Sequence, residues 1–187
     1  MKIAFDLDDT LVNHDRNRLR LSRQLGYTIP IRDFYTKKAK NIIPKSEYTQ
    51  FKSTLYKKIS LSAPPIKNAV EIFNQLNQDH VLFIISRRQP HDGGVDFAQQ
   101  WITEHLPSLS PNRIHFVARD EDKNVLCQKL GIDVIVDNKA SVLRHINPPT
   151  QIVLLDRYNS EPKLDRAIVI TELSELHNTL QNILTSL

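Results

Sequence analysis

The chain has 187 residues, 40% hydrophobic and 25% charged, with 25 Lys or Arg against 21 Asp or Glu and a formal net charge of +4. That length favours one domain with room for a small inserted lobe, and no run approaches the roughly 18 consecutive apolar residues of a membrane span, so neither a tandem of domains nor a membrane anchor is expected. The single cysteine excludes an internal disulfide, and the four glycines leave no GxGxxG or GxxxxGKS/T phosphate loop.

In chain order, Met1 leads straight into an apolar run at 2–5, read as a strand. No stretch of signal-peptide length is present there, so a cytoplasmic protein is expected. Asp6, Asp8, Asp9 and Thr10 follow at once. From Asn13 to Pro65 the pattern changes to three helices, at 16–25, 32–40 and 46–59, separated by 26–30 and by Pro44. This interval holds 12 Lys or Arg against 3 Asp or Glu, net +9, while the rest of the chain is net −5. Such a basic lobe can be a solvated surface, a collar that steers anions, or a nucleic-acid contact. Beyond it, short apolar runs at 80–85, 113–117, 134–136, 151–155 and 167–170 alternate with helical spacing around Phe73, Trp101, Leu126 and Leu180. Strands alternating with helices indicate an α/β fold, a parallel sheet with helices on both faces. Cys127 reads as a small core residue, and Gly131 stands where a left-handed helix cap is expected. The expected division is a core of 1–12 and 66–187 with a helical cap of 13–65.

Three carboxylates in four positions at the carboxyl end of a buried strand crowd negative charge where doubly wound sheets bind ligands. A hard divalent cation with oxygen ligands would compensate it; an acidic turn capping the next helix is the plainer alternative. Ser86 ends the strand at 80–85, Lys123 opens a helix, and Asp137-Asn138 ends the strand at 134–136.

Together these resemble the haloacid dehalogenase-like (HAD) hydrolase superfamily, whose first motif, DxDxT/V, is met by Asp6, Asp8 and Thr10. The later motifs of that family are a strand ending in Ser or Thr, a helix lysine and an acidic strand end, matched in order by Ser86, Lys123 and Asp137. The resemblance implies a HAD-like Rossmannoid sheet and a Mg2+-dependent phosphomonoesterase. Asp6 would be the nucleophile that forms an acyl phosphate, and Asp8 the acid and then the base. Asp6, the Asp8 backbone carbonyl and Asp137 or Asn138 would hold Mg2+. Thr10, Ser86, Arg87 and Lys123 would bind the phosphoryl group, with Lys129 and Lys139 as other candidates for the lysine. Many relatives carry two acids where this chain has Asp137-Asn138, so the Asn removes one charge from the metal site. Trp101, the run 130–137 and the run 154–159 look like the 5′(3′)-deoxyribonucleotidase branch and its uncharacterised bacterial relatives. That likeness implies a small phosphorylated substrate, a nucleoside monophosphate above all. A nucleic-acid-binding or regulatory protein on the same scaffold is the alternative, and a dehalogenase is disfavoured by Asp8.

Overall fold

In the computed structural model, which describes residues 1–36, 38–88 and 94–185, the first strand β1 (Lys2–Phe5) is buried from Ile3 onward. It lies between β2 (Val81–Arg87) and β4 (Val134–Asp137). Outside them pair β3 (Ile114–Val117), then β5 (Gln151–Leu155) and β6 (Ala167–Ile170), giving the order β3-β2-β1-β4-β5-β6 with every pair parallel. Phe5 stands opposite Ile84 on one side and Val136 on the other. The carboxyl ends of the three central strands therefore open on one rim, the crevice where open α/β sheets take ligands.

The chain leaves the sheet at Asn13 for four helices: α1 (Asp15–Gln24), α2 (Ile31–Tyr35), α3 (Lys38–Ile42) and α4 (Lys45–Leu55). It returns through a 3-10 turn, Lys58–Ser62, and pairs beside its own point of departure. Asn13 N–H donates to Pro64 O at 2.8 Å and Ile66 N–H to Leu11 O at 2.7 Å. Leu21, Ile29, Phe34, Ala39, Ile43, Phe51 and Leu55 form an apolar cluster of their own there. The helix expected at 32–40 is two short ones, because Thr36 is fully extended, with φ −99° and ψ −179°, and its Oγ1 accepts from the Lys38 N–H at 3.2 Å. The helix expected to reach 59 stops at Leu55, since Lys57 is also extended.

The remaining helices, α5 (Ala69–Asp79), α6 (Gly94–His105), α7 (Asp122–Leu130), α8 (Ala140–Leu143) and α9 (Leu176–Thr185), cover the sheet. Side-chain alternation along the strands sorts them. Ile3, Phe5, Leu82, Ile84, Val134 and Val136 pack with Phe73 of α5, Trp101 of α6 and Leu176 of α9. Ala4, Phe83, Ile85 and Ile135 turn to the other face, against Cys127 of α7 and Leu143 of α8. Gly131 closes α7 with φ +64°, and burial pushes the enclosed Cys127 thiol up to about 12. Among the described residues, no helix is long and apolar enough to cross a membrane.

Candidate active site

The segment after β1 is a tight loop. Asp6 N–H still donates to Val136 O at 2.9 Å, continuing the strand ladder, and the N–H groups of Leu11 and Val12 both donate to Leu7 O at 2.9 Å. Leu7, Leu11 and Val12 are buried and anchor the loop. Asp9 takes φ +65°, a left-handed conformation that Asp tolerates better than most residues. The loop thereby sends its three carboxylates in three directions, and each meets a different cation.

Asp6 meets Lys123, which stands at the start of α7 and is 1% exposed. Its Nζ donates to Asp6 Oδ1 and Asp137 Oδ2, each at 2.7 Å. The other Asp137 oxygen accepts the Lys139 N–H at 2.9 Å. Burial pushes the Asp6 carboxyl up to about 7; Lys123 opposes that rise, and the carboxylates of Asp137 and Asp8 add to it. Burial works against the Lys123 ammonium, but Asp137 and Asp6 outweigh it and hold that group above the ordinary lysine value. Two carboxylates share one ammonium, so negative charge remains uncompensated at this point of the rim.

Asp8 is clamped on both oxygens. Arg88 Nε donates to Oδ2 at 2.8 Å and Nη2 to Oδ1 at 2.5 Å, while His14 Nε2 lies 2.6 Å from Oδ1. Burial alone would raise Asp8; the Arg88 charge and the His14 hydrogen bond overcome it and hold the carboxyl well below the usual range. Arg88 Nη1 also donates to Tyr56 O and Gly94 O, each at 2.9 Å, so one guanidinium ties the loop, the end of α4 and the start of α6 together. Asp9 forms a two-pronged pair with Arg18 of α1, both contacts at 2.5 Å.

Asp6, Asp8, Lys123 and Asp137 are thus brought together. Ser86 is buried at the end of β2, and Thr10 and Asn138 are buried nearby in sequence to Asp8 and Asp137, each with an unpartnered atom, Thr10 Oγ1 and Asn138 Nδ2. Arg87 is not brought in: it is exposed and pairs with Asp120 at 3.1 Å. Lys139 binds Glu161 at 2.8 Å instead of Asp6, and Lys129 lies in the last turn of α7. Sequence reasoning missed Arg88, His14 and Arg18. Strand alternation was the available signal for Arg88: with Ser86 turned in, Arg87 turns out and Arg88 turns in again.

A cation fits the donor set. Asp6 and Asp137 converge on the Lys123 ammonium, and carboxylates are the usual protein ligands of Mg2+, completed by carbonyl, amide, water and phosphate oxygens. Among the described residues no three His, Cys, Asp or Glu side chains converge to hold a metal ion, and the Asp8 carboxylate is engaged by Arg88 and His14. The loop carbonyl of Asp8 and the Asn138 amide are the remaining oxygen donors available to complete such a site.

Solved structures share this arrangement of strands. A conserved haloacid dehalogenase-like protein of unknown function from Agrobacterium tumefaciens aligns over 98% of both chains, with a TM-score of 0.64 and 15% identity. The chain has the haloacid dehalogenase-like fold. A second structure with that fold, a HAD hydrolase from Entamoeba histolytica, aligns over 97% of this chain and 98% of its own, with a TM-score of 0.63 and 15% identity. Among curated proteins, the Bacillus cereus protein named "Putative nucleotidase" is 24% identical over 94% of this chain and 97% of its own length. A protein of like name from Oceanobacillus iheyensis is 24% identical over 97% of this chain and 98% of its own. No protein-family model matches the chain. In this haloacid dehalogenase-like fold the rim of β1, β2 and β4 carries the polar cluster, and the region 13–65 stands between the Asp6 loop and the rest of the sheet domain in sequence.

Proposed function

We propose that the protein is a Mg2+-dependent phosphomonoesterase that acts through a phosphoaspartate on Asp6, with a nucleoside monophosphate as substrate and the cytoplasm as its place of work. The observation that carries this reading is the Lys123 ammonium bridging Asp6 and Asp137 at 2.7 Å on the sheet rim. It supports this reading because it sets a carboxylate and a cation side by side, as a nucleophile and a partner for phosphoryl oxygens would need to be. The nucleotide class rests on the names of the two curated relatives.

In this reading residues 13–65 form a cap, and residues 1–12 and 66–187 the core. Lys123 holds Asp6 Oδ1, which leaves the second oxygen to attack phosphorus, and the same ammonium neutralises an equatorial phosphoryl oxygen. Asp6, Asp137, the Asp8 carbonyl and Asn138 would hold Mg2+, which would supply neutralisation of negative charge at the site. Asp8 gives a proton to the leaving oxygen and then takes one from water, which opens the acyl phosphate and releases inorganic phosphate. The unpartnered Thr10 hydroxyl and Asn138 amide supply donors for phosphate oxygens, alongside Ser86. Arg87, paired to Asp120, is the weakest member of the binding set. The test is phosphate release from a generic aryl phosphate and from a panel of nucleoside monophosphates with Mg2+. Asp6→Asn abolishes it; turnover that persists in Asp6→Asn sinks the mechanism, and turnover confined to other phosphoesters sinks the nucleotide assignment.

A further inference from the structure

We propose that the solvent face of α1 binds the phosphate backbone of a nucleic-acid strand, separately from the rim that holds Asp6. Helix α1 has two basic faces. Arg18 turns inward to Asp9, whereas Arg16, Arg20 and Arg23 are exposed. These three stand at i, i+4 and i+7, one row about 10 Å long at the helical rise of about 1.5 Å per residue. Together with Asn17, Gln24 and Ser62 they line an open concavity of about 650 Å³.

Nothing among the described residues accounts for this row. Arg16, Arg20 and Arg23 have no hydrogen-bond or ion-pair partner among the described residues. The acids of the basic region are engaged elsewhere: Asp15 with Arg157 and Tyr158, Glu47 with Tyr27, and Asp33 with Lys38. For the helix itself the row is unfavourable, because like charges four apart repel and Arg16 sits in the first turn, at the positive end of the helix dipole. The chemistry points to phosphate. A guanidinium presents a planar fork that matches phosphate oxygens, and three forks in line suit a chain of phosphates better than one monoester. The net +9 of residues 13–65 adds a long-range field that draws polyanions. No aromatic side chain is among the residues lining the concavity, so bases have no stacking platform and binding is sequence-independent.

Fluorescence anisotropy of a labelled single-stranded oligonucleotide, titrated between about 50 and 200 mM salt, tests this. Wild-type protein is expected to bind with a log–log salt slope of about −2, since three phosphate contacts release about 0.7 counterion each on single strands. The R16Q/R20Q/R23Q variant is expected to bind at least about tenfold more weakly at the lowest salt, with a slope near zero, while aryl-phosphate turnover stays unchanged and Tm does not fall. If the triple variant melts lower, the single reversals R16E, R20E and R23E carry the test, each lowering the slope magnitude by at least about 0.7. Three results overturn the proposal: no salt-sensitive binding by wild type, undiminished binding by the variants, or equal competition by a polyglutamate peptide, which would assign the face to an acidic protein. Absence of aryl-phosphate turnover in wild type counts against the proposed function and leaves this measurement standing.

Discussion

Asp6 and Asp8 are two residues apart in sequence, yet their surroundings set them to opposite states. Burial lifts Asp6 to about 7, whereas Arg88 and His14 keep Asp8 ionised. Their contributions to stability therefore run in opposite directions with pH. The Asp6 contribution is fully present below the ordinary value of 3.8 and is lost as pH rises to about 7. The Asp8 contribution is present above 3.8 and is lost as pH falls through its depressed value. Asp6→Asn removes a buried, poorly compensated charge, so at pH 8 and without metal it should raise Tm, at about 2–4 °C per kcal/mol for a chain of this size, while abolishing turnover. A fall in Tm would show Asp6 to be fully compensated. Arg88→Ala frees Asp8 from its clamp and should lower kcat about 10- to 100-fold, within the range ascribed to general acid–base groups, with KM little changed. Partial rescue by free guanidinium would separate a positioning role from a folding defect. Because Arg88 and His14 keep Asp8 ionised, its protonated form is scarce at neutral pH, so esters with poor leaving groups, which need that proton, should be turned over more slowly than aryl phosphates.

At the scale of elements, α1 is docked through charge as well as apolar packing. Arg18 reaches from the helix to Asp9, and the single Tyr35 hydroxyl proton of α2 lies within reach of both Asp9 and Asp15. Arg157, beyond β5, binds Asp15 at 3.2 Å and the Tyr35 hydroxyl at 2.7 Å, and Tyr158 stacks on Tyr35. Burial alone would raise Asp9, and the Arg18 charge keeps it below the usual carboxylate range. Removing one partner leaves the other buried and unpaired. Arg18→Ala should therefore cost about 3–5 kcal/mol in urea unfolding, well above the roughly 0–1 kcal/mol typical of surface ion pairs. A loss within the surface range would mean that water replaces Arg18. The strand–helix alternation that defines these elements was legible, since each strand is a short apolar run beside a helical one. The break at Thr36 was not: a polar residue amid basic ones gives no periodic signal, although in the folded chain its hydroxyl donates to Asp33 O and accepts from the Lys38 N–H.

For the molecule as a whole, cation binding, protonation and folding should be linked. If Asp6 must lose its proton to become a ligand, Mg2+ binding releases a proton below about pH 7 and none well above it. Calorimetry at pH 6 in two buffers of different ionisation enthalpy should show that release, and Mg2+ at about 100 times its Kd should add about 2.7 kcal/mol to stability, reversed by chelation. Equal heats in the two buffers would remove Asp6 from the ligand set. The crowding of Asp6, Asp8 and Asp9 was read from the sequence as a call for metal. In the folded chain Lys123, Arg88, His14 and Arg18 meet much of that charge, and only the Asp6–Asp137 pair is left short of a cation. Apolar periodicity was enough to establish an α/β sheet and to set Asp6 at a strand end, because burial of a strand leaves its mark on the residues of that strand. Which lysine reaches Asp6, and that Arg88 rather than Arg87 turns inward to Asp8, was decided by the packing of β1 between β2 and β4. Those contacts join residues 117 and 80 positions apart, and a distance closed across the sheet leaves no periodic trace along the chain.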